Sequence, residues 1–278
     1  IGWCDWSSDV CSSDLALMKG IDLIGTGDFT HPQYFSELRT ALEPLGNGLF
    51  RLKSDKKGSV IPRLGQGIQT GSPTGPSGDD KNTRFSPVHF MLTAETSHIF
   101  SVKGTTKRVH MILFAPSFEV VEKINRFLAK RGNISSDGRP IFGMHVKELV
   151  KACLDISPDV FFVPAHAWTP WFSVFGSASG FDSIEECFEE EAKNIHAIET
   201  GLSSDPAMNW RLSKLDRITC ISNSDAHSPS RIGREANVFD CKMDYREILD
   251  VIRTGDPKRF LYTIEFFPEE GKYHYDGH

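Results

Sequence analysis

The strongest constraint on this chain is positional: the residues able to do chemistry recur where short apolar runs end. Asp28 and His31 lie in "GTGDFTHP", Glu95 in "LTAETSH" and His110 in "RVHMILF". His166 lies in "VPAHAWTP", and Asp225 with His227 in "SNSDAHSP". In parallel α/β folds the C-terminal ends of strands converge on one face, and active sites are assembled there. Carboxylate oxygens and imidazole nitrogens meeting on one face suit zinc, manganese or iron. Singly, each residue has an ordinary reading. His110 suits a packed strand, Asp28 a helix cap, and Glu95 a half-buried partner of an arginine. Asp225 and His227, two apart in an extended segment, point to the same side. Their joint placement at five strand ends predicts a metal site.

Between these clusters the apolar spacing alternates between strand and helix. Strands are expected at "IDLIGTGD", "HFMLTAETSHIF", "RVHMILFAP", "VFFVPAHAW", "IHAIETG" and "ITCISNSDAHSP". Helices are expected at "SFEVVEKINRFLAKRG", "HVKELVKACLD", "SIEECFEEEAKN", "PAMNWRLSKLD" and "DYREILDVIRTGD". Strands repeatedly followed by helices imply an α/β fold with a parallel sheet or barrel-like closure. Lys53 to Pro87, rich in Gly, Ser, Pro and Lys, breaks this rhythm. It reads as an insertion, either disordered or a loop over a site.

With 278 residues the chain has room for one large domain or two small ones. Its formal net charge of −6 argues against a bulk basic face, although a local basic patch is compatible with it. The six cysteines, Cys4, Cys11, Cys153, Cys187, Cys220 and Cys241, have no zinc-knuckle spacing, and none is expected to be catalytic or metal-bound. No apolar run approaches bilayer-spanning length, so no membrane partner is expected and cytoplasmic residence is the default.

The motifs resemble those of the PHP (polymerase and histidinol phosphatase) superfamily of metal-dependent phosphoesterases. Longer segments resemble its endonuclease Q branch: "GTGDFTHP", "LTAETSHIF", "VPAHAWTPWFSVFGSASGFDSIEECF", "AIETGLSSDPAMNWRLSKLD", "SNSDAHSPSRIGREANVF" and "TIEFFPEEGKYHYDGH". The likeness covers nearly all of Gly20 to His278 apart from the insertion. It implies a distorted (β/α)7 barrel over residues 16–262, here lacking its first strand. It also implies cleavage of DNA 5′ of uracil, hypoxanthine or an abasic site. Divalent ions, up to three, would serve as cofactors, zinc foremost, with manganese or magnesium as alternatives. Glu95 would bridge two ions, His110 and His166 would hold the second, Asp225 the first and His227 the third. Asp28 or His31, or both, would serve another family motif. Such ions activate water and clamp phosphate, so no protein nucleophile is required. The competing readings are a phosphatase of the same superfamily acting on a small phosphomonoester, and a degenerate barrel that only binds nucleic acid.

Other residues acquire roles beside these. Trp168, Trp171 and Phe172 follow His166 and suit a pocket for an extruded base, or alternatively core packing. Arg108 and Arg231 are candidate phosphate contacts, and "KGTTKR" reads as a tight basic turn. Glu199 and Asp205 read as support for a ligand or as helix caps, with capping favoured for Asp205. The remaining histidines His89, His98, His145 and His196 are expected to be structural.

Both ends depart from the family pattern. Family members open with a His-x-His motif that binds the first ion, and no such motif precedes "GTGDFTHP". In its place stands "DWSSDVCSSDL", which matches codon for codon the translation of a sequencing-library adapter. Residues 1–15 are therefore expected to be an assembly artefact, with reduced activity as the consequence. Residues 263–278 are expected to begin a C-terminal zinc- and DNA-binding region.

Overall fold

A computed structural model describes residues 2–3, 9–53, 88–136, 139–271 and 273, with side chains from Ser13 onward. Apart from Lys53, the insertion expected over 53–87 lies outside the described residues. The chain begins with β1 (Gly2–Trp3), α1 (Asp9–Met18), β2 (Leu23–Gly25), α2 (Pro32–Ala41), β3 (Leu42–Pro44) and β4 (Phe50–Leu52). After the undescribed segment come β5 (His89–Val102), β6 (Thr105–Ala115), α3 (Phe118–Leu128), β7 (Ile141–Phe142), α4 (Val146–Ile156) and β8 (Phe161–Pro164). The last part holds α5 (Ile184–Phe188), β9 (Ala197–Glu199), α6 (Pro206–Asn209), β10 (Thr219–Ile221), β11 (Ala236–Phe239), α7 (Tyr245–Thr254) and β12 (Phe260–Ile264).

The long strand β5 organises the molecule. It pairs in parallel with β2 and β7 and antiparallel with β4 and β6. Strand β8 extends the sheet antiparallel to β6, giving eight strands in all. Strands β9 and β10 form a separate parallel pair, and β11 and β12 an antiparallel one. Both faces of β5 and β6 are buried, which is why their sequences read as nearly continuous apolar runs. Helix α3 covers the sheet through Val121, Ile124 and Leu128 and starts at Ser117, whose hydroxyl accepts from the Val120 amide. Helix α7 stops at Gly255, which takes the left-handed conformation (φ 58°).

The fold is mixed α/β, with no closed barrel evident among the described residues. Three expectations of detail need correction. Strands β5 and β6 pair antiparallel rather than parallel, and the reason is visible at Lys103 and Gly104, both at positive φ (49° and 80°). This two-residue turn folds β6 directly back on β5, and a turn so short gives antiparallel strands, since a parallel crossover needs a dozen or more residues. The acidic segment after Ser183 is not one helix. Helix α5 ends at Glu189 (φ 50°), and a 3-10 stretch follows to Asn194. Likewise "PAMNWRLSKLD" divides into α6 and a 3-10 turn over Ser213–Leu215. Among the described residues no helix is long and apolar enough to cross a membrane.

Candidate metal centre

The centre begins with the β5–β6 ladder. Glu95 faces Ile112 and Ser97 faces His110 in register, so Glu95 and His110 are diagonal neighbours on one face of the sheet. The neighbouring strand brings the third residue. Beyond β8 the Ala165 amide donates to the His110 carbonyl (3.1 Å), and the chain turns at His166, whose φ is 29°. Gly201 (φ 65°) passes so close that a Cβ there would stand 2.7 Å from the His166 Cβ. From the other side the His166 amide donates to Glu199 Oε2 (2.7 Å), and Nδ1 lies 2.9 Å from the Thr169 hydroxyl. That fixes the ring with Nε2 directed inward.

The result is a tight triad. Glu95 Oε1 lies 2.9 Å from His110 Nδ1 and 3.4 Å from His166 Nε2, and the two ring nitrogens are 3.0 Å apart. Glu95 Oε1 is buried, yet neither imidazole meets it with the angle of a hydrogen bond. Three donors around one divalent ion at about 2.0–2.2 Å stand roughly 3.3 Å from each other. The spacing, the unsatisfied oxygen and the facing ring nitrogens all fit such an ion.

Electrostatics sharpen the picture. Burial resists ionisation of Glu95, but Arg139 and the two imidazoles hold its carboxyl well below the usual carboxylate range. Burial pulls His110 down despite Glu95. Burial pulls His166 down too, but the close Glu95 carboxylate, with help from Glu199 and Asp225, outweighs it, so His166 is raised. Glu199 is pushed up to about 7, chiefly by burial.

The other sequence-predicted residues fall in several places. Asp225, at φ 41°, shares the cleft but not the triad. Its Oδ1 accepts from Arg139 Nη2 (3.1 Å), while Arg139 Nε pairs with Glu95 Oε2 (2.5 Å). One guanidinium therefore bridges the two carboxylates. Arg139 escaped sequence reasoning because a single arginine in a loop carries no periodic or motif signal. His227 is exposed beside Asp225, with Nδ1 3.0 Å from the Asp225 carbonyl. Asp28 (φ 32°) and His31 are outside the triad, and His31 caps α2 by accepting from the Tyr34 amide. Asp205 caps α6, and Glu199 supports His166.

The cleft over the triad has a volume of about 360 Å³. Trp171 and Phe172 line it, and the Phe172 ring packs 4.6 Å from the His110 ring. Arg108 sits over the Trp171 ring (5.3 Å), whereas Arg231 is exposed in a 3-10 turn. Trp168 turns elsewhere: it stacks on Phe175 (4.7 Å) and lines a different groove. Cys153, Cys187, Cys220 and Cys241 are unpaired. Burial pushes the Cys153 and Cys220 thiols up to about 12, which leaves them inert. His98 is a packed structural residue between Thr96 and the Met144 carbonyl, lowered by burial to about 3.

Comparison with known proteins bears on this geometry. Residues 209–257 match the family model described as PHP-associated. The crystal structure of the lesion-specific endonuclease PfuEndoQ from Pyrococcus furiosus superposes with a TM-score of 0.72 at 26% identity, covering 95% of this chain and 56% of that one. An endonuclease Q complex with a 27-mer duplex bearing an abasic lesion at its active site gives 0.74 at 26% identity, covering 99% and 60%. These likenesses support an endonuclease Q-like member of the PHP superfamily. Two uncharacterized proteins are also similar to it. YqxK of Bacillus subtilis is 26% identical over 260 residues, and MJ0043 of Methanocaldococcus jannaschii is 32% identical over 117 residues. This endonuclease Q-like chain spans 57% of YqxK and a similar share of the two crystal structures.

Proposed function

We propose that this chain carries the catalytic part of a metal-dependent DNA repair endonuclease that hydrolyses the phosphodiester 5′ of uracil, hypoxanthine or an abasic site. The observation that carries the reading is the convergence of Glu95, His110 and His166 on one point, in a cleft walled by Trp171 and Phe172. The likeness to a lesion-specific endonuclease, and to one bound to an abasic duplex, supports it. Glu95, His110 and His166 would hold a divalent ion, with zinc the first choice on their nitrogen and oxygen donors. Such an ion, when bound, polarises a phosphoryl oxygen and acidifies water. Asp225, His227 and either Asp28 or His31 are the proposed donors to further ions of the set. In this reading the strands belong to the distorted (β/α)7 barrel of the superfamily.

The chain's own residues have separable tasks. Glu199 and Thr169 orient the His166 ring. Arg139 holds the Glu95 and Asp225 carboxylates together and balances their charge. Phe172 shields His110 from water, and Trp171, backed by Arg108, offers a face on which an extruded base can stack. Arg108 and Arg231 are the proposed contacts to phosphate.

With one triad among the described residues, turnover is expected to be slow, so selective binding is the primary readout. The test compares duplexes containing uracil, hypoxanthine or an abasic site with an undamaged duplex, with zinc or manganese present. The reading predicts tighter binding of the damaged duplexes and any nick on the 5′ side of the lesion. Equal binding of damaged and undamaged DNA contradicts it.

A further inference from the structure

A second groove lies behind the metal cleft, and the loop from His166 to Phe175 is the wall between them. His166, Trp171 and Phe172 line the metal cleft, whereas Trp168 and Phe175 line the groove, whose volume is about 410 Å³. The wall is anchored. Trp168 Nε1 donates to Oδ1 of the fully buried Asn209 (2.7 Å), and the Trp168 ring packs on Phe175 at 4.7 Å with 33° between the planes. Phe181 closes the floor, and Asp182, Ser183 and Ser213 add polar groups.

The opposite rim is basic. Arg211 and Lys214 line the groove, and Arg217 follows them on the same exposed stretch. No ion pair or side-chain hydrogen bond engages any of the three among the described residues. Elsewhere some exposed cations are paired, Arg39 with Glu122, Lys151 with Asp155 and Arg246 with Asp159, while others among the described residues, such as Lys123, Lys130 and Lys258, stand alone on the open surface. What sets Arg211 and Lys214 apart is their place: in a chain of net charge −6 they outnumber Asp182 in the lining of one groove, beside an aromatic wall. Trp210, next to Arg211, is 71% exposed, which extends the aromatic character outward.

We propose that this groove is a second nucleotide subsite. The Trp168–Phe175 wall takes a base of the strand flanking the one presented to the metal cleft, and Arg211 and Lys214 take its phosphate. Aromatic faces accept any base by stacking, and arginine and lysine neutralise the backbone, so the subsite adds affinity without adding base preference. The stated ligand class rests on the DNA reading above. The shared wall gives the groove a direct mechanical link to His166, two residues before Trp168.

The experiment measures binding of a fluorescently labelled abasic duplex across a salt series with the full chain. It compares the wild type, the R211E/K214E variant and a K123E/K130E control, which makes the same charge change at exposed sites on and just after α3. All four positions are exposed, so folding is expected to survive. Each lost phosphate contact removes about 0.9 from the slope of log affinity against log salt. The R211E/K214E slope is expected to fall by about 2, with affinity lower by roughly tenfold or more, while the control keeps the wild-type slope. A wild-type slope in R211E/K214E, or an equal loss in the control, overturns the subsite and leaves the nuclease reading standing. A wild type that binds no duplex overturns both.

Discussion

The two halves of the metal cleft are built on different principles. Glu95 and His110 stand on long strands whose ladder continues into β8, with apolar layers of Met91, Ile112, Phe114 and Val163 packed beside them. Asp225 and His227 stand on a loop after a three-residue strand, and the floor beneath is polar. There Asn223 donates to Glu199 (2.9 Å), Asn237 donates to the Ser222 carbonyl (2.8 Å), and Ser224 donates to the Glu235 carbonyl (2.8 Å). Arg234 ties the loop down through the Ser224 and Asp225 carbonyls (2.6 and 3.0 Å). The ladder half brings its donors together by register alone. The loop half needs partners, and in this structure Asp225 uses Arg139. Register sets the Glu95–His110 spacing directly, whereas the Asp225 loop is placed by Arg234 and its polar floor, and Arg139 pairs with one carboxylate of each half.

Breaking the contrast at its floor should have the largest effect. Glu235 is fully buried with Oε2 unpartnered, and burial, with Glu265 and Glu199 nearby, pushes its carboxyl up to about 8. The folded state thus keeps a proton that the unfolded chain releases near pH 4.5. The associated stability is complete below that pH and is lost as pH rises toward about 8, by up to about 1.4 kcal/mol per pH unit. Denaturation followed from pH 5 to 9 should show this fall in the wild type and a flatter profile in E235Q. An unchanged slope in E235Q would mean the polar floor does not titrate.

At the junction of the halves, Gly201→Ala places a Cβ at positive φ against His166 and should cost roughly 2–4 kcal/mol in urea unfolding. Within the ladder half, His110→Ala should weaken zinc binding by more than about 100-fold, since loss of a direct donor exceeds the 10–100-fold typical of supporting groups. His227→Ala should leave the same affinity nearly unchanged, and calorimetric titration measures both. The smallest effect sharpens the comparison from the Arg139 side. R139Q removes a positive charge next to the triad and should tighten zinc binding on the order of tenfold. Unchanged or weaker binding would show that Arg139 supports the ladder half rather than opposing an ion there.

The sequence was legible where period and position coincide. The strands bearing Glu95 and His110 stood out as apolar runs, and Asp205 as a cap, because those signals are local; yet both residues stand inside β5 and β6 rather than at their ends, and His166 follows β8 in a turn. The parallel pairing expected from strand–helix alternation fails at the β5–β6 turn, where Lys103 and Gly104 force an antiparallel pair, and again where β4 meets β5, β8 meets β6 and β11 meets β12. The basic turn itself was read correctly from the same residues. Strands β1, β3, β4, β7, β11 and β12 were not anticipated; all are five residues or fewer, and β11 and β12 lie mostly at intermediate or full exposure. Trp168 illustrates the limit of grouping by proximity in sequence. Its neighbour two residues back is a triad member, yet its ring belongs to the other side of the wall. Arg139 depends on contacts 44 and 86 residues away, which no local pattern encodes.

The most direct measurement is a zinc-soaked crystal examined by anomalous scattering at the zinc edge. The expected result is a peak at the triad, about 2.0–2.2 Å from Glu95 Oε1, His110 Nδ1 and His166 Nε2. A soaked crystal with no peak there, or with zinc bound only at other residues, would contradict it.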